Sequence, residues 1–248
     1  MGNKLKNMVC LITGGTRGIG KATAIELSKL GATVVITYNS DKTNAEKTKN
    51  LIGGISEIPF IVQLNISNDK SVKIAIDKII NKFGRLDVLV NNAGQTYDGA
   101  FASMDAELYE KVISTNLIGT IKVSMTCLPY LKKSKGKIVI VSSLASISGK
   151  EGQTPYSASK GGLNGFTRIL ARKVGEFGVR VNAIAPGFIN TEMVSSLPES
   201  TFSHVVGSST IKRIGEPEEV AKLIAFLVGE DSSYINASIL RIDGGYNR

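Results

Sequence analysis

Histidine and cysteine are almost missing from this 248-residue chain: His204 stands alone, and the only cysteines are Cys10 and Cys127. That leaves metal chemistry little to work with. The cysteines fall far apart, each within a regular element, and read as reduced core residues in a reducing compartment, not as a staple. No apolar run approaches the length of a membrane span. The run Met8–Ile12, which follows the first lysines, is too short for a secretory h-region. Internal repeats, low-complexity linkers and aromatic-basic recognition motifs are also absent. The net charge of +9 comes from 30 Lys and Arg, scattered along the chain, against 21 Asp and Glu. Such a balance favours an anionic partner, nucleotide phosphates or an acidic carrier protein ahead of nucleic acid. A hydrophobic content of 42% with 21% charged residues is ordinary for a soluble globular protein. The expected compartment is cytoplasmic, where the glycosylation-like Asn65-Ile66-Ser67 and Asn236-Ala237-Ser238 go unused.

What the chain does have is a glycine-rich turn, Thr13-Gly14-Gly15-Thr16-Arg17-Gly18-Ile19-Gly20, between an apolar run and a helical pattern beginning at Lys21. Strand, glycine turn and helix together present free backbone N–H groups and the positive end of a helix dipole to an anion. Side chains there would hold the backbone off a phosphate. The spacing G-x-x-x-G-x-G differs from the general dinucleotide fingerprint. Gly15 to Lys21 also satisfies G-x-x-x-x-G-K, but Ala22 follows and has no hydroxyl for Mg²⁺, which disfavours a nucleotide hydrolase.

Short aliphatic runs alternate with helical patterns to the end. Strands are expected near 8–13, 32–38, 58–64, 86–91, 137–142, 179–185 and 238–242. Helices are expected near 18–30, 41–52, 68–83, 105–131, 155–176 and 217–229, with Asn68 as an N-cap and Pro217 in the first turn of the last. Runs such as Val34-Val35-Ile36 and Ile138-Val139-Ile140-Val141 fit strands buried on both faces of a parallel sheet. The expected fold is α/β: a single doubly wound, Rossmann-type domain over residues 1–248 with a seven-stranded parallel sheet. Ligands of such folds lie at the carboxyl ends of the strands.

The second strand ends Thr37-Tyr38-Asn39-Ser40 with no acid at its tip, although Asp41 follows. An acid there would bond an adenosine ribose 2′-OH and repel a 2′-phosphate, so its absence, with Arg17 close by, favours NADP(H) over NAD. The fourth strand ends Asn91-Asn92-Ala93-Gly94, small enough for a ring to lie on the backbone. Asn116 falls mid-helix, where an asparagine usually has a polar partner or a water.

The fifth strand ends at Ser142-Ser143, and a helix opens with Tyr156-Ser157-Ala158-Ser159-Lys160. Tyr156 and Lys160, four apart, share a helix face with Cβ atoms about 5–6 Å apart. A phenol of ordinary pKa near 10 needs about 4 kcal/mol of phenolate stabilisation to reach ~7. The lysine ammonium, reinforced by an oxidised nicotinamide, is the expected source, with Ser143 as a fixed dipole on a substrate carbonyl. A Tyr-x-x-x-Lys pair alone also arises by accident on amphipathic helices.

Taken together, Thr13–Gly20, Asn91–Gly94, Asn116, Ser143, Tyr156, Lys160 and Pro186-Gly187-Phe188-Ile189-Asn190-Thr191 resemble the short-chain dehydrogenase/reductase family across essentially the whole chain. Gly152-Gln153, Ile211 to Val220 and Asp243-Gly244-Gly245 resemble its 3-oxoacyl-[acyl-carrier-protein] reductases most. The resemblance implies NADPH-dependent reduction of 3-oxoacyl thioesters, carried on acyl carrier protein, with Asn116, Ser143, Tyr156 and Lys160 as catalytic residues. Tyr156 would protonate the substrate oxygen, Lys160 would also hold the nicotinamide ribose, and Asn116 would hold a water. The cofactor would lie against Gly14, Thr16, Arg17, Gly18, Ile19, Gly20, Asn39, Ser40, Asn65, Asn92, Ala93, Gly94, Tyr156, Lys160, Pro186, Gly187, Ile189 and Thr191. It also implies a homotetramer, formed in part by the helices near 105–131 and 156–176.

Some residues depart from the family pattern. Asn65 stands where an aspartate usually meets the adenine amino group, and Tyr97 where the fatty-acid reductases usually have arginine. Ser134 and Phe177 replace two carrier-docking arginines, with Lys133, Lys135, Arg172 and Lys173 nearby. A specialised polyketide or polyene ketoreductase would look much the same. The stretch from about 192 to 212, rich in serine, reads as a mobile lid over substrate, with His204 at the surface. A dehydrogenase of a small alcohol, sugar or steroid is the alternative within the class. A non-catalytic nucleotide-binding regulator is the alternative outside it.

Overall fold

The computed structural model describes residues 4–192 and 199–246, the side chains of 199–202 and 204 excepted. Seven strands form one sheet: β1 Val9–Ile12, β2 Thr33–Tyr38, β3 Phe60–Gln63, β4 Val88–Asn91, β5 Lys137–Val141, β6 Arg180–Pro186 and β7 Ile239–Ile242. Their order is β3-β2-β1-β4-β5-β6-β7, and each neighbouring pair is parallel. The direction of winding reverses between β1 and β4, where Leu11 sits opposite Leu89 and Ile12 opposite Val90. In an open sheet of this kind, a crevice forms outside the strand ends at such a reversal.

The apolar runs explain the layering. Successive side chains of a strand point to opposite faces. Leu11 therefore joins one core with Val35, Leu89 and Ile138, while Cys10 and Ile12 join another with Ile36, Val90 and Val139. The first core is covered by α3 Asp69–Phe83 and, further along, by α5 Thr120–Ser134 and α7 Thr154–Val174. The second is covered by α1 Gly18–Lys29, by Ile52 of α2 Lys42–Gly53, and by α9 Pro217–Val228. Cys10 and Cys127 are both buried and free, one in each core, so the sheet lies between them. Burial pushes both thiols above their ordinary range.

Two features of the helices were not expected. The long helix expected near 105–131 is α4 Ala106–Ile113 and α5 joined by a π-helical stretch, Ser114–Gly119, which carries Asn116. Two further helices are present, α6 Ala145–Ser148 just past β5 and α8 Glu199–Ser208. Of the segment read as a lid, residues 193–198 and the His204 side chain lie outside the described residues. Val205 of α8 packs with Leu144 and Tyr246, immediately beside Ser143.

Local capping agrees with the sequence. Asn68 caps α3 by accepting from Ser71 N at 2.9 Å, and Pro217 opens α9 behind a Glu216–Glu219 capping box. Replacing Asn68 by alanine is expected to lower unfolding stability by about 1 kcal/mol without changing the denaturant slope. Urea titration checks this; a loss near zero would mean that water caps α3 equally well.

Candidate active site

The glycine turn leaves β1 with Gly14 at φ +64° and Gly18 at φ +50°, conformations that a side chain would strain. Gly20 faces inward: a Cβ there would lie 2.3 Å from the Gly14 carbonyl and 2.5 Å from Asn92 Nδ2. The tip of β4 locks the turn. Thr13 Oγ1 accepts from the N–H groups of Asn92 and Ala93, each at 3.0 Å. Asn92 Nδ2 donates to the carbonyls of Thr13 and Gly14, also at 3.0 Å. Arg17 precedes α1 without a side-chain cap, and no acid occupies the first turn, so the positive end of α1 is left for a ligand.

Above the turn lies a cleft of about 990 Å³. Gly14, Thr16, Arg17, Gly18 and Ile19 line it from the turn, Asn39 and Ser40 from the tip of β2, and Asn65 from the end of β3. Asn92, Ala93 and Gly94 follow from β4, and Pro186, Gly187, Ile189 and Thr191 from the end of β6. Ser143, Tyr156 and Lys160 close its far side. Gly20 was expected at this surface and does not line it; Asn116, expected to hold a water, lies behind the lining. Gly20 is packed under the turn, and Asn116 is fully buried behind it.

Asn116 works as a brace. Its Oδ1 accepts from Gln95 N at 2.9 Å, and its Nδ2 donates to Gln95 O at 2.8 Å and to Ser159 Oγ at 3.1 Å. The π stretch thus ties the β4 loop to the helix of Tyr156, and its side chain is spent on that tie. Asn65 is also partly engaged: its Oδ1 accepts from Ser67 N at 3.0 Å, leaving one lone pair for a ligand. Asp41, after the tip of β2, caps α2 through Asn44 and is held below the usual carboxylate range by those bonds, with a smaller pull from Arg17.

The reacting groups differ from expectation in one respect. Burial of the Tyr156 phenol raises its pKa above the ordinary value, a hydrogen bond with Ser143 pulls it back, and the Asp98 carboxylate adds to the rise. Lys160 is not among the groups that lower it. The Lys160 ammonium donates to the Val141 carbonyl at 2.7 Å and lies 5.6 Å from the Tyr156 ring centre. Burial destabilises that ammonium itself, bringing it down to about 8 from 10.5.

Two neighbours were not anticipated as parts of the site. Gln153 Nε2 donates to both Asp98 oxygens, at 3.0 and 2.9 Å, holding the loop after β4 against the start of α7. Asn164 lies four residues beyond Lys160, on the face shared with Tyr156, and that spacing was the available signal.

The chain also has close likenesses among known proteins. A family described as Enoyl-(Acyl carrier protein) reductase matches residues 14–247. A protein of Thermotoga maritima named 3-oxoacyl-[acyl-carrier-protein] reductase FabG is 40% identical, over 98% of each chain. Proteins of the same name from Pseudomonas aeruginosa and Aquifex aeolicus are 37% and 39% identical, over 97% and 98% of this chain and 98% of each relative.

Lys160 makes stability depend on pH in a definite direction. Its pKa is lower folded than unfolded, so unfolding takes up a proton between about pH 8 and 10.5, and stability rises with pH across that window. Below pH 8 the cost of burying the cation is fully present. Coenzyme-free Lys160→Met protein is expected to exceed the parent in stability at pH 7 by about 1–3 kcal/mol, the gap narrowing toward pH 10. Urea melts across that range test it; a gap independent of pH would contradict the assignment.

Proposed function

Since the chain belongs to the short-chain dehydrogenase/reductase family, we propose that it reduces 3-oxoacyl thioesters, carried on acyl carrier protein, to 3-hydroxyacyl thioesters with NADPH. The observation that carries the reading is the convergence of Ser143, the Tyr156 phenol and Lys160 at one end of a cleft whose other end is the glycine turn. The cleft fits a dinucleotide. Gly94 leaves room where a Cβ would stand 3.1 Å from Asn116 Oδ1, and the uncapped start of α1 faces the phosphates. Arg17 with Asn39 and Ser40 suits a 2′-phosphate, and no carboxylate stands at the β2 tip itself.

NADPH, when bound, supplies the hydride that the carbonyl carbon accepts. The protein manages the oxygen. Ser143 donates a hydrogen bond to it as negative charge builds, and Tyr156 gives up its hydroxyl proton to complete the alcohol. Lys160 holds positive charge beneath the cleft and binds the nicotinamide ribose. Asn116 keeps the helix of Tyr156 in register with the β4 loop.

For the carrier, the basic residues Lys133, Lys135, Arg172 and Lys173 form the docking side. Phe177 contributes indirectly, with Lys132 Nζ seated 3.6 Å from its ring centre. Exposed Ile118, Met125 and Ile169, on the helical face near 105–131 and on α7, support a homotetramer. Of the stretch read as a lid, α8 serves as the substrate-side cover, anchored through Val205 against Leu144. No helix among the described residues is long and apolar enough to cross a membrane, and a cytoplasmic site of action accords with the free, buried cysteines.

The family description favours a second reading, reduction of an enoyl thioester. Rates with NADPH separate the two: acetoacetyl thioester is expected to be turned over and crotonyl thioester to be left unreduced. NADH is expected to support at least tenfold lower kcat/KM, and a carrier-linked substrate to outperform the free thioester. Tyr156→Phe is expected to lower kcat at least 100-fold with NADPH affinity nearly unchanged. Preference for crotonyl thioester, or a near-normal Tyr156→Phe enzyme, would overturn the assignment.

A further inference from the structure

Beside Ser143, running inward from Ser142 at the wall of the cleft, lies a run of polar side chains that the chemistry described so far does not use. Ser142 and Asn164 are buried, at 2% and 8% exposure. Ser142 Oγ donates to Asn164 Oδ1 at 2.8 Å, and Asn164 Nδ2 donates to Ser146 Oγ at 2.8 Å. Ser146 Oγ in turn donates to the Ser143 carbonyl at 2.5 Å. Because Ser142 and Ser143 are consecutive, the run closes into a ring.

Proton counting fixes its direction. The contact between Ser146 Oγ and the Ser143 carbonyl needs a proton, and only the serine has one. Ser146 must therefore accept from Asn164, whose NH₂ then faces Ser146 and whose carbonyl faces Ser142. Every hydroxyl donates once, and the amide both accepts and donates. Asparagine satisfies this arrangement and leucine, branched alike at Cγ but without donor or acceptor, cannot. The ring joins two elements that must keep register for reaction: α7, which carries Tyr156 and Lys160 on the same face as Asn164, and the turn that carries Ser143.

We propose that Asn164 is a positioning residue for Ser143, holding its backbone through Ser146 so that its hydroxyl keeps its place in the cleft with Tyr156. The inference rests on the ketoreductase reading of the site. Asn164 touches neither cofactor nor substrate in this scheme and acts only through the turn. A shift of the Ser143 backbone by a fraction of an ångström is enough to misalign a fixed dipole. Losing Asn164 therefore affects the chemical step, not the cofactor's grip.

The test uses full-length Asn164→Leu, Ser146→Ala and the double variant, with thermal melts to establish folding. Ser146→Ala removes only one oxygen from a half-buried position and keeps the experiment decisive if Asn164→Leu fails to fold. Each single variant is expected to lose about tenfold in kcat for acetoacetyl thioester, with KM for NADPH within twofold. The double variant is expected to be no slower than the slower single, because both break one chain. In the reverse direction, oxidation of 3-hydroxybutyryl thioester needs the phenolate, which the Ser143 hydrogen bond stabilises. Its midpoint is expected to move about one pH unit upward in the variants. Losses that multiply in the double variant, kcat within twofold of the parent, or an unmoved pH midpoint would each overturn the proposal. A parent protein inactive on acetoacetyl thioester would instead refute the ketoreductase reading.

Discussion

The placing of the half-buried Tyr156 phenol beside Ser143 at the cleft is the arrangement on which the site depends. Removing a phenol from water favours its neutral form, which is the form a proton donor needs before reaction. The same burial makes the proton hard to release. Something must favour the anion at the moment of transfer without ionising the tyrosine in the resting enzyme. A serine dipole does this gently until substrate arrives, and its one proton then turns to the substrate oxygen, leaving the Lys160 cation to favour the anion. A lysine ammonium in direct contact would do more, but Lys160 is turned to the Val141 carbonyl and is itself destabilised by burial. Its cation is held in reserve beneath the cleft.

The parallel sheet supplies the geometry. The central strands β1, β4 and β5 are buried on both faces, so polar chemistry there is confined to the carboxyl edge, where chains leave the sheet. The reversal between β1 and β4 opens that edge, and Thr13 and Asn92 bind the two tips together across it. The phosphate-facing turn and the carbonyl-facing serine are thus fixed relative to one another through hydrogen bonds and strand pairing.

Much of this was legible in the sequence. The seven strands and the principal helices fall where apolar runs and caps place them, because burial on both faces leaves continuous aliphatic stretches such as Val88–Val90. Asn68 and Pro217 announced their helix starts through side-chain chemistry alone. Other features were hidden for physical reasons. The π stretch at Ser114–Gly119 has no composition of its own, since it differs from α-helix by one extra residue per turn. Gly20 was expected at the cofactor surface. A glycine needed for close packing and one needed for ligand approach have the same letter. The direction in which Lys160 points depends on the carbonyl of Val141, a contact between distant parts of the chain. The role of Asn164 was likewise invisible until Ser142 and Ser146 were seen to flank it.

The account stands most directly on the claim that Ser143, and not Lys160, lowers the proton affinity of Tyr156 in the coenzyme-free enzyme. Ultraviolet difference titration against Tyr156→Phe isolates the ionisation of that one phenol. It is expected to lie above the ordinary tyrosine range near 10 and to move higher still in Ser143→Ala. A titration unchanged by Ser143→Ala, or one already complete near neutral pH, would contradict it.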